Sequence, residues 1–425
     1  MTNPELLQLL RSEVIPAIGC TEPIAVALCT ARAKELLGAE PDSITVHLSK
    51  NVYKNALAVG IPNTGMTGLP IAIALGAIVG KSEYMLEVLR DATTETVAYA
   101  KEYMLRVPAT IKVDYEAPSL LYIHVEVSSN GQTAQATIMD EHTHFVEPGT
   151  RNQEASDISE IDTTANTLSL RRVYDFAVSV DTTELTFLLE GAEMNTAAAE
   201  TSFADQYGHG LGRLLQANTL TATPEMEKLF GNTLFTKIIS YTCGACDARM
   251  SGAMVQVMSN SGSGNQGISC SIPVYLYAKE NNCTEEQTLR ALALSNLTVI
   301  YIKQSLGRLS ALCGCVVAAT GSAAGITYLM GGTYDEITYA IKNMIANISG
   351  MICDGAKPGC ALKVTSGVAT AIFSAYLAMQ HSYADSTEGI VEDDIDRTIR
   401  NLTRIGHDGM KVTDDLILDI MTHKQ

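Results

Sequence analysis

The chain has 425 residues, of which 46% are hydrophobic and 18% are charged. This composition excludes a disordered or low-complexity protein, and the length predicts two or three domains of about 100–200 residues each. The 29 basic and 47 acidic residues give a formal net charge of −18, which disfavours nucleic acid and anionic membrane surfaces as partners. The first residues lack the basic start and apolar run of a signal peptide, so we expect a cytoplasmic protein.

The first hundred residues predict helices interrupted by one strand, from the spacing of their apolar positions. In chain order these elements are helices at 4–14 and 24–37, a strand at 43–48, an apolar helix from Leu69 and a helix at 84–105. Gly38 directly follows the second helix and predicts its end.

The character of the sequence changes near Arg106. Residues 110–127 and 132–145 are rich in β-branched side chains that alternate with polar ones. Asn130 and Gly131 lie between them and predict a tight hairpin turn. From about 208 the chain is again helical, and its apolar run at 312–330 is rich in Ala, Gly and Cys, which favours a packed internal helix over a membrane span.

These patterns predict an α+β fold with a mainly helical core. The N-terminal and C-terminal segments, 1–105 and 208–425, would form the helical catalytic core. Residues 106–207 would form a smaller inserted α/β module.

Cys20 lies in the sequence Gly19-Cys20-Thr21-Glu22-Pro23, which resembles a helix start. The positive end of the helix dipole would lower the pKa of such a thiol, and Glu22 adds a carboxylate beside it. The alternative is a half-buried cysteine next to an ordinary helix cap.

The glycine-rich segment SNSGSGNQG, residues 259–267, could form a nest of backbone N–H groups for a carboxylate or phosphate. Its polar side chains would add hydrogen-bond donors, and the candidates for substrate binding are Ser261, Ser263 and Asn265. A surface loop without a ligand is the alternative interpretation.

The cysteines near the C-terminal end have spacings that could serve a metal. Either Cys313 or Cys315 at the head of an apolar helix, together with Cys353 and Cys360 in a Gly/Pro loop, would give three thiolates for an iron–sulfur cluster. Zinc is the competing metal. Core packing of buried cysteines is the alternative without a metal.

Further candidates are scattered and less specific. Lys50 and Asn51 precede a turn that contains Asn63 and Thr64, and this group could receive a substrate carboxylate. His209 lies between two glycines and is a candidate acid or base. Exposed lysines and a structural histidine are the alternatives.

Five segments together resemble the L-cysteine desulfidase family, which is related to the α component of iron–sulfur L-serine dehydratases. They are GCTEPIAVAL, KNVYKNALAVGIPNTG, SNSGSGNQGI, LSALCGC and MICDGAKPGCALK, spread from residue 19 to residue 363. The resemblance implies a [4Fe–4S] cluster held by three cysteines, with one open iron and no pyridoxal phosphate. Cys353 and Cys360 match the two later ligands, and the first ligand is Cys313 or Cys315, with the distance to Cys353 favouring Cys313.

The resemblance implies β-elimination of L-cysteine to pyruvate, ammonia and sulfide. Cys20 is the first choice for the base that removes the Cα proton, followed by Glu22 and His209. The alternatives are an iron–sulfur L-serine dehydratase, or a protein that binds an amino acid or senses redox state without turnover. A shared site requires Cys20 and Cys353 to meet in space, and the expected partners are a small amino acid and a second copy in a homodimer.

Overall fold

A computed structural model describes residues 1–147, 168–221, 223–307 and 309–423. Its described residues form an α+β fold in which helices predominate, as the sequence predicts. The helices are α1 (Asn3–Glu13), α2 (Thr21–Leu37), α3 (Lys50–Ala56), α4 (Leu69–Ile78), α5 (Thr94–Arg106), α6 (Leu170–Ser179), α7 (Thr186–Ala204), α8 (Leu211–Thr221), α9 (Pro224–Phe230), α10 (Leu234–Met250), α11 (Gly264–Glu280), α12 (Glu285–Leu306), α13 (Gly314–Leu329), α14 (Tyr334–Ile348), α15 (Cys360–Met379), α16 (Ile395–Arg404) and α17 (Lys411–Thr422). The strands are β1 (Pro16–Ile18), β2 (Ser43–Ser49), β3 (Gly60–Ile61), β4 (Met66–Thr67), β5 (Thr110–Asp114), β6 (Tyr122–Ser129), β7 (Gln132–Met139), β8 (Phe145–Val146) and β9 (Gln256–Met258).

The largest sheet has five strands in the order β5-β2-β6-β7-β8. β2 pairs with β5 in parallel, and the other neighbours are antiparallel. The β6–β7 hairpin turns at Asn130 and Gly131, which have φ of +51° and +80°. These are the positive values that a two-residue hairpin turn requires, so this predicted turn is confirmed.

Helix α2 packs between this sheet and α4. Most of its residues are buried on every side, which matches a sequence, TEPIAVALCTARAKELL, that is apolar nearly all round. The helix ends at Gly38, in the left-handed conformation that favours glycine. The sheet therefore fixes the position of α2, and with it the position of Cys20 at its first turn.

One predicted helix is partly wrong. Residues 84–105 do not form a continuous helix, because Ser82–Glu87 is a 3-10 segment in which Met85 has φ of +48°. The regular helix α5 begins only at Thr94, since the Thr93 side chain accepts a hydrogen bond from the Thr96 N–H and caps a new helix.

The helical half of the molecule is built around α11 and α13. Almost all of α13 is buried between α11, α12, α14 and α15, so the apolar run at 312–330 is an internal helix, as predicted. Small residues permit this packing: a Cβ at Gly321 would lie 2.5 Å from the Ser295 carbonyl oxygen of α12. By length and composition α15 could cross a membrane, but it packs against α10, α13 and α14.

The predicted inserted module, 106–207, shares its sheet and its packing with the rest of the chain. β2, from the first hundred residues, lies between β5 and β6. Helices α6 and α7 pack on α10, α11 and α12 of the helical half. Residues 148–167 of the predicted module lie outside the described residues, and its boundaries stay a prediction.

A short two-stranded pairing joins the two halves. β1 pairs antiparallel with β9, so that Ile18 lies opposite Gln256 and Pro16 opposite Met258. The GCTEP segment follows β1 and the SNSGSGNQG segment follows β9. This pairing therefore brings the starts of α2 and α11 into one region.

Candidate active site

A pocket of about 100 Å³ lies where the starts of α2 and α11 meet the loops before α13 and α15. Its wall contains seven of the residues that the sequence predicts: Cys20, Glu22, Ser263, Asn265, Cys313, Cys353 and Cys360. Cys20 and Cys353 therefore line the same cavity although 333 positions separate them in the sequence (353 − 20). A single bound water needs about 10–15 Å³ of cavity volume, so the pocket has room for a small molecule.

Cys20 and Glu22 are in direct contact at the first turn of α2. The Cys20 thiol donates to Glu22 Oε2 at 3.2 Å, and both residues are buried. Burial and the Glu22 carboxylate raise the pKa of Cys20 well above its usual range. The expectation of a lowered pKa at this helix start is therefore wrong, because burial and a neighbouring anion outweigh the helix dipole.

Glu22 is held as a carboxylate by several donors. Its Oε1 accepts from Asn55 Nδ2 at 3.0 Å, and its Oε2 accepts from the Thr21 hydroxyl at 3.0 Å. His142 Nε2 lies 4.0 Å from Oε1. Burial alone would raise the pKa of Glu22, but the His142 charge and the hydrogen bonds from Cys20 and Thr21 lower it below its ordinary value.

Two loops bring the C-terminal cysteines together. Leu312 and Ile352 form an isolated antiparallel β-bridge. Around it, the Cys313 N–H donates to the Met351 carbonyl at 3.0 Å and the Cys353 N–H donates to the Ala311 carbonyl at 2.7 Å. This pairing sets Cys313 beside Cys353, and the loop then returns Cys360 to the same pocket at the start of α15.

The groups around Cys313 favour the thiolate form of its side chain. A hydrogen bond from Cys315, with further help from Lys363 and Lys357, lowers the pKa of Cys313. Lys363 donates to the Ile352 carbonyl at 2.8 Å and Lys357 to the Asp354 carbonyl at 3.0 Å, so both ammonium groups lie at the cysteine loop. Burial raises the pKa of Cys353 to about 11.

The cysteine set fits an iron–sulfur cluster in its donor chemistry. Cys313, Cys353 and Cys360 face one pocket, and all ten cysteines are free thiols. Thiolate is the ligand that such clusters use, and the two lysines at the loop offset its charge. Among the described residues no group of three or more His, Cys, Asp or Glu side chains is arranged to hold a metal ion, and a four-iron cluster holds its ligands farther apart than one ion does.

Residues 83–419 match the family model described as the serine dehydratase alpha chain. The chain belongs to the serine dehydratase alpha chain family. The resemblance drawn from the five sequence segments is thereby confirmed at the level of this family.

Full-length relatives support the same assignment. A UPF0597 protein of Phocaeicola vulgatus is 56% identical over 426 residues, which cover 99% of this chain and 98% of the relative. A UPF0597 protein of Bacteroides fragilis is 55% identical with the same coverage. A UPF0597 protein of Oleidesulfovibrio alaskensis is 42% identical over 434 residues and covers both chains fully.

In this member of the serine dehydratase alpha chain family, the glycine-rich segment divides between two roles. Ser263 and Asn265 line the pocket at the start of α11. Ser261 instead holds the loop: its hydroxyl donates to Asn260 Oδ1 at 2.9 Å and its N–H donates to the Glu13 carbonyl at 3.1 Å. A Cβ at Gly267 would lie 1.9 Å from the Met258 carbonyl oxygen, so glycine is required there by close packing.

Lys50 and Asn51 lie outside the pocket and contact the C-terminal helix α17. Lys50 pairs with Asp415, and the Asn51 amide donates to Asp414. The buried Lys54 also pairs with Asp414. The KNVYKN segment therefore docks α17, and the structure does not bring Lys50 or Asn51 to the cysteines.

Asn63, Thr64 and His209 are also absent from the lining of the pocket. Asn63 is exposed and its N–H donates to the Gly252 carbonyl at 3.0 Å, whereas the Thr64 hydroxyl donates to the Ile61 carbonyl at 2.8 Å. The His209 N–H donates to Asp247 Oδ1 at 3.2 Å. These contacts are local to their own turns, so the structure gives the three residues no place on the pocket wall.

Sequence reasoning missed two residues of the site. Arg249 lines the pocket from the end of α10. His142 reaches Glu22 from the loop between β7 and β8. Neither Arg249 nor His142 stands in a recognisable motif. Cys315, the predicted alternative to Cys313 as first ligand, also lines the pocket, from the start of α13.

Proposed function

We propose that this protein is an L-cysteine desulfidase that depends on a [4Fe–4S] cluster and eliminates sulfide from L-cysteine. The observation that carries the proposal is the convergence of Cys20, Cys313, Cys353 and Cys360 on one small pocket beside the Glu22 carboxylate. A cluster held by Cys313, Cys353 and Cys360 would supply an open iron that acts as a Lewis acid toward the departing sulfur.

The chain itself supplies the proton transfer. The Cys20 sulfur takes the Cα proton as its own thiol proton passes to Glu22 Oε2, along the 3.2 Å hydrogen bond between them. The hydrogen bonds from Asn55 and Thr21 orient Glu22 for this step. The lowered pKa of Glu22 means that its carboxylate carries no proton before the transfer begins.

Cleavage of the Cβ–S bond follows removal of the Cα proton. Loss of the Cα proton places an electron pair on Cα, which forms the Cα–Cβ double bond as the Cβ–S bond breaks and sulfide leaves. The product 2-aminoacrylate tautomerises to the imine, and water hydrolyses the imine to pyruvate and ammonia. Glu22 then returns its proton to the solvent.

The test compares L-cysteine with L-serine on anaerobically isolated protein. We expect equal amounts of sulfide and pyruvate from L-cysteine, a larger kcat/KM for L-cysteine than for L-serine, and iron and acid-labile sulfide in the purified protein. Binding of L-cysteine without sulfide release would favour an amino-acid-binding or redox-sensing protein. Colourless protein after iron has been supplied would favour zinc or no metal.

L-Serine is the second candidate substrate, because the family to which the chain belongs is described as the serine dehydratase alpha chain. A thiolate leaves more easily than hydroxide and suits iron better, which is why L-cysteine stands first. A strong preference for L-serine in the same assay would reverse this order. We further expect a cytoplasmic homodimer, which fractionation and light scattering test.

A further inference from the structure

The Arg249 side chain is buried with most of its hydrogen-bonding capacity unused. It is 1% exposed and lies on the pocket wall at the end of α10. Nη1 donates to Asn265 Oδ1 at 3.0 Å. Nε and Nη2 have no hydrogen-bond partner among the described residues. Because a guanidinium keeps its charge and burial of an unpaired charge is costly, this arrangement calls for an anion.

The glycine-rich segment leaves room for this guanidinium. A Cβ at Gly264 would lie 2.3 Å from Arg249 Nε and 2.6 Å from Cζ. The guanidinium therefore rests directly against the first residue of α11. The α11 N-cap, Ser263, makes no side-chain capping hydrogen bond, so the first N–H groups of this 17-residue helix add further positive potential.

Among the described residues, no protein anion bonds to Nε or Nη2 of Arg249. Glu22, the carboxylate on the pocket wall, is already bound by Cys20, Thr21 and Asn55. The planar fork of a guanidinium matches a carboxylate that accepts two parallel hydrogen bonds. A small carboxylate from solution therefore has the geometry and charge for this position.

We infer that Arg249, positioned by Asn265 and Gly264, binds the α-carboxylate of the substrate. The inference rests on the proposed function and narrows its substrate class to free α-amino acids that carry a leaving group on Cβ. With the carboxylate at Arg249, the Cα proton is directed toward the same pocket as Cys20 and Glu22. Amides, esters and decarboxylated analogues of the amino acid are rejected, since they leave the buried charge without a partner.

The test measures sulfide release from L-cysteine and L-cysteinamide by wild-type protein, Arg249→Gln and Arg249→Lys. We expect wild-type protein to prefer L-cysteine by about 100-fold in kcat/KM, and Arg249→Gln to lose about 100-fold on L-cysteine while changing less than about threefold on L-cysteinamide. Arg249→Lys should be intermediate, because it keeps the charge without the fork. Equal losses on both substrates, or a wild-type protein that accepts both equally, would overturn the inference.

The control is Arg290→Gln, which removes an arginine that donates to the Ala177 and Val180 carbonyls away from the pocket. It should leave the ratio of kcat/KM between L-cysteine and L-cysteinamide unchanged.

A binding assay separates this inference from the proposed function. L-Alanine, which has no leaving group, should raise the melting temperature of wild-type protein more than L-alaninamide does. If no sulfide is released but L-alanine still raises the melting temperature of wild-type protein more than that of Arg249→Lys, the carboxylate site stands and the lyase proposal fails. If sulfide is released and no carboxylate preference is found, the reverse holds.

Discussion

Glu22 is the residue around which the polar contacts of the pocket are arranged. It accepts hydrogen bonds from Cys20, Thr21 and Asn55, and His142 lies 4.0 Å from its other face. The hydrogen-bond donors come from the start of α2 and from α3, and the charge contact comes from the β7–β8 loop, so three separate parts of the chain surround one carboxylate. Such convergence is typical of a group whose ionised form is needed for chemistry.

Replacing Glu22 by Gln should abolish most turnover without unfolding the protein. The amide cannot accept the proton from Cys20, so kcat should fall by about 10²–10⁴-fold. Anaerobic pyruvate formation measures the change, and circular dichroism checks the fold. The control Glu35→Gln lies on the same helix at its far end and should retain activity. Full activity of Glu22→Gln would contradict the assigned role.

Asp247 makes stability depend on pH. Burial raises its pKa to about 6, although the His209 N–H and the Cys243 thiol donate to it. Between the unfolded value of about 3.9 and this folded value the native state binds more protons than the unfolded state, so stability falls as pH rises through this window.

The variant Asp247→Asn should remove this dependence. Its free energy of unfolding should change less than that of wild-type protein between about pH 4 and pH 6. The stability of the variant relative to wild-type protein should therefore be greatest above pH 6. Urea unfolding at several pH values measures this. The exposed Asp205→Asn serves as a control and should follow the wild-type profile. Parallel profiles for Asp247→Asn and wild type would show that Asp247 titrates normally.

At the scale of elements, α17 is fastened to α3 by a buried ion pair. The side chains of Lys54 and Asp414 are 2% and 10% exposed, and Asn51 donates to the same carboxylate. Lys54 Nζ also donates to the Cys353 carbonyl at 3.5 Å. The C-terminal helix thus supports the loop that carries two of the predicted cluster ligands.

Removing one partner of this pair should be far more damaging than removing both. Lys54→Met should lower the free energy of unfolding by about 3–5 kcal/mol, because it leaves Asp414 buried without its cation. The double variant Lys54→Met/Asp414→Leu should recover at least half of this loss, as chemical denaturation would measure. Lys81→Met, which breaks the exposed pair with Asp91, should leave the free energy of unfolding almost unchanged, because water screens surface ion pairs. Additive losses in the double variant would show that the pair is not coupled.

At the scale of the whole molecule, the pocket lies at the junction of the sheet half and the helical half. The β1–β9 pairing joins them, and Cys20 comes from one half while Cys313, Cys353 and Cys360 come from the other. The acidic surface is compatible with a pocket that binds an anion, because the positive charge of Arg249 is buried within it.

Cysteine variants should divide into two classes by iron content. Cys313→Ser, Cys353→Ser and Cys360→Ser should each lose most iron and acid-labile sulfide, whereas Cys29→Ser should keep about four iron atoms per chain. Cys29 is the matched control, since it is buried against the sheet and donates to the Ala136 carbonyl at 3.3 Å. Loss of iron in Cys315→Ser but not in Cys313→Ser would move the first ligand by two residues.

The sequence predicted most elements from local patterns, and it singled out Cys313, Cys353 and Cys360, which the structure places in one pocket. Apolar periodicity marked the helices, Asn130-Gly131 marked the hairpin, and Gly38 marked a helix end. Lys50 and Asn51 were predicted at the site because a Gly/Asn-rich segment follows them. Their acidic partners, Asp414 and Asp415, lie more than 360 residues away in the sequence. Local sequence patterns do not predict contacts over such a separation.

The amino-acid sequence by itself determined the fold class, the family and the residue types available for chemistry. Only the tertiary structure decided which of them share a cavity, which way the pKa of Cys20 moves, and that Arg249 and His142 belong to the site. The physical reason is that burial, charge pairing and unsatisfied hydrogen bonds depend on neighbours in space, and the β1–β9 pairing and the bridge between Leu312 and Ile352 create those neighbours from distant segments.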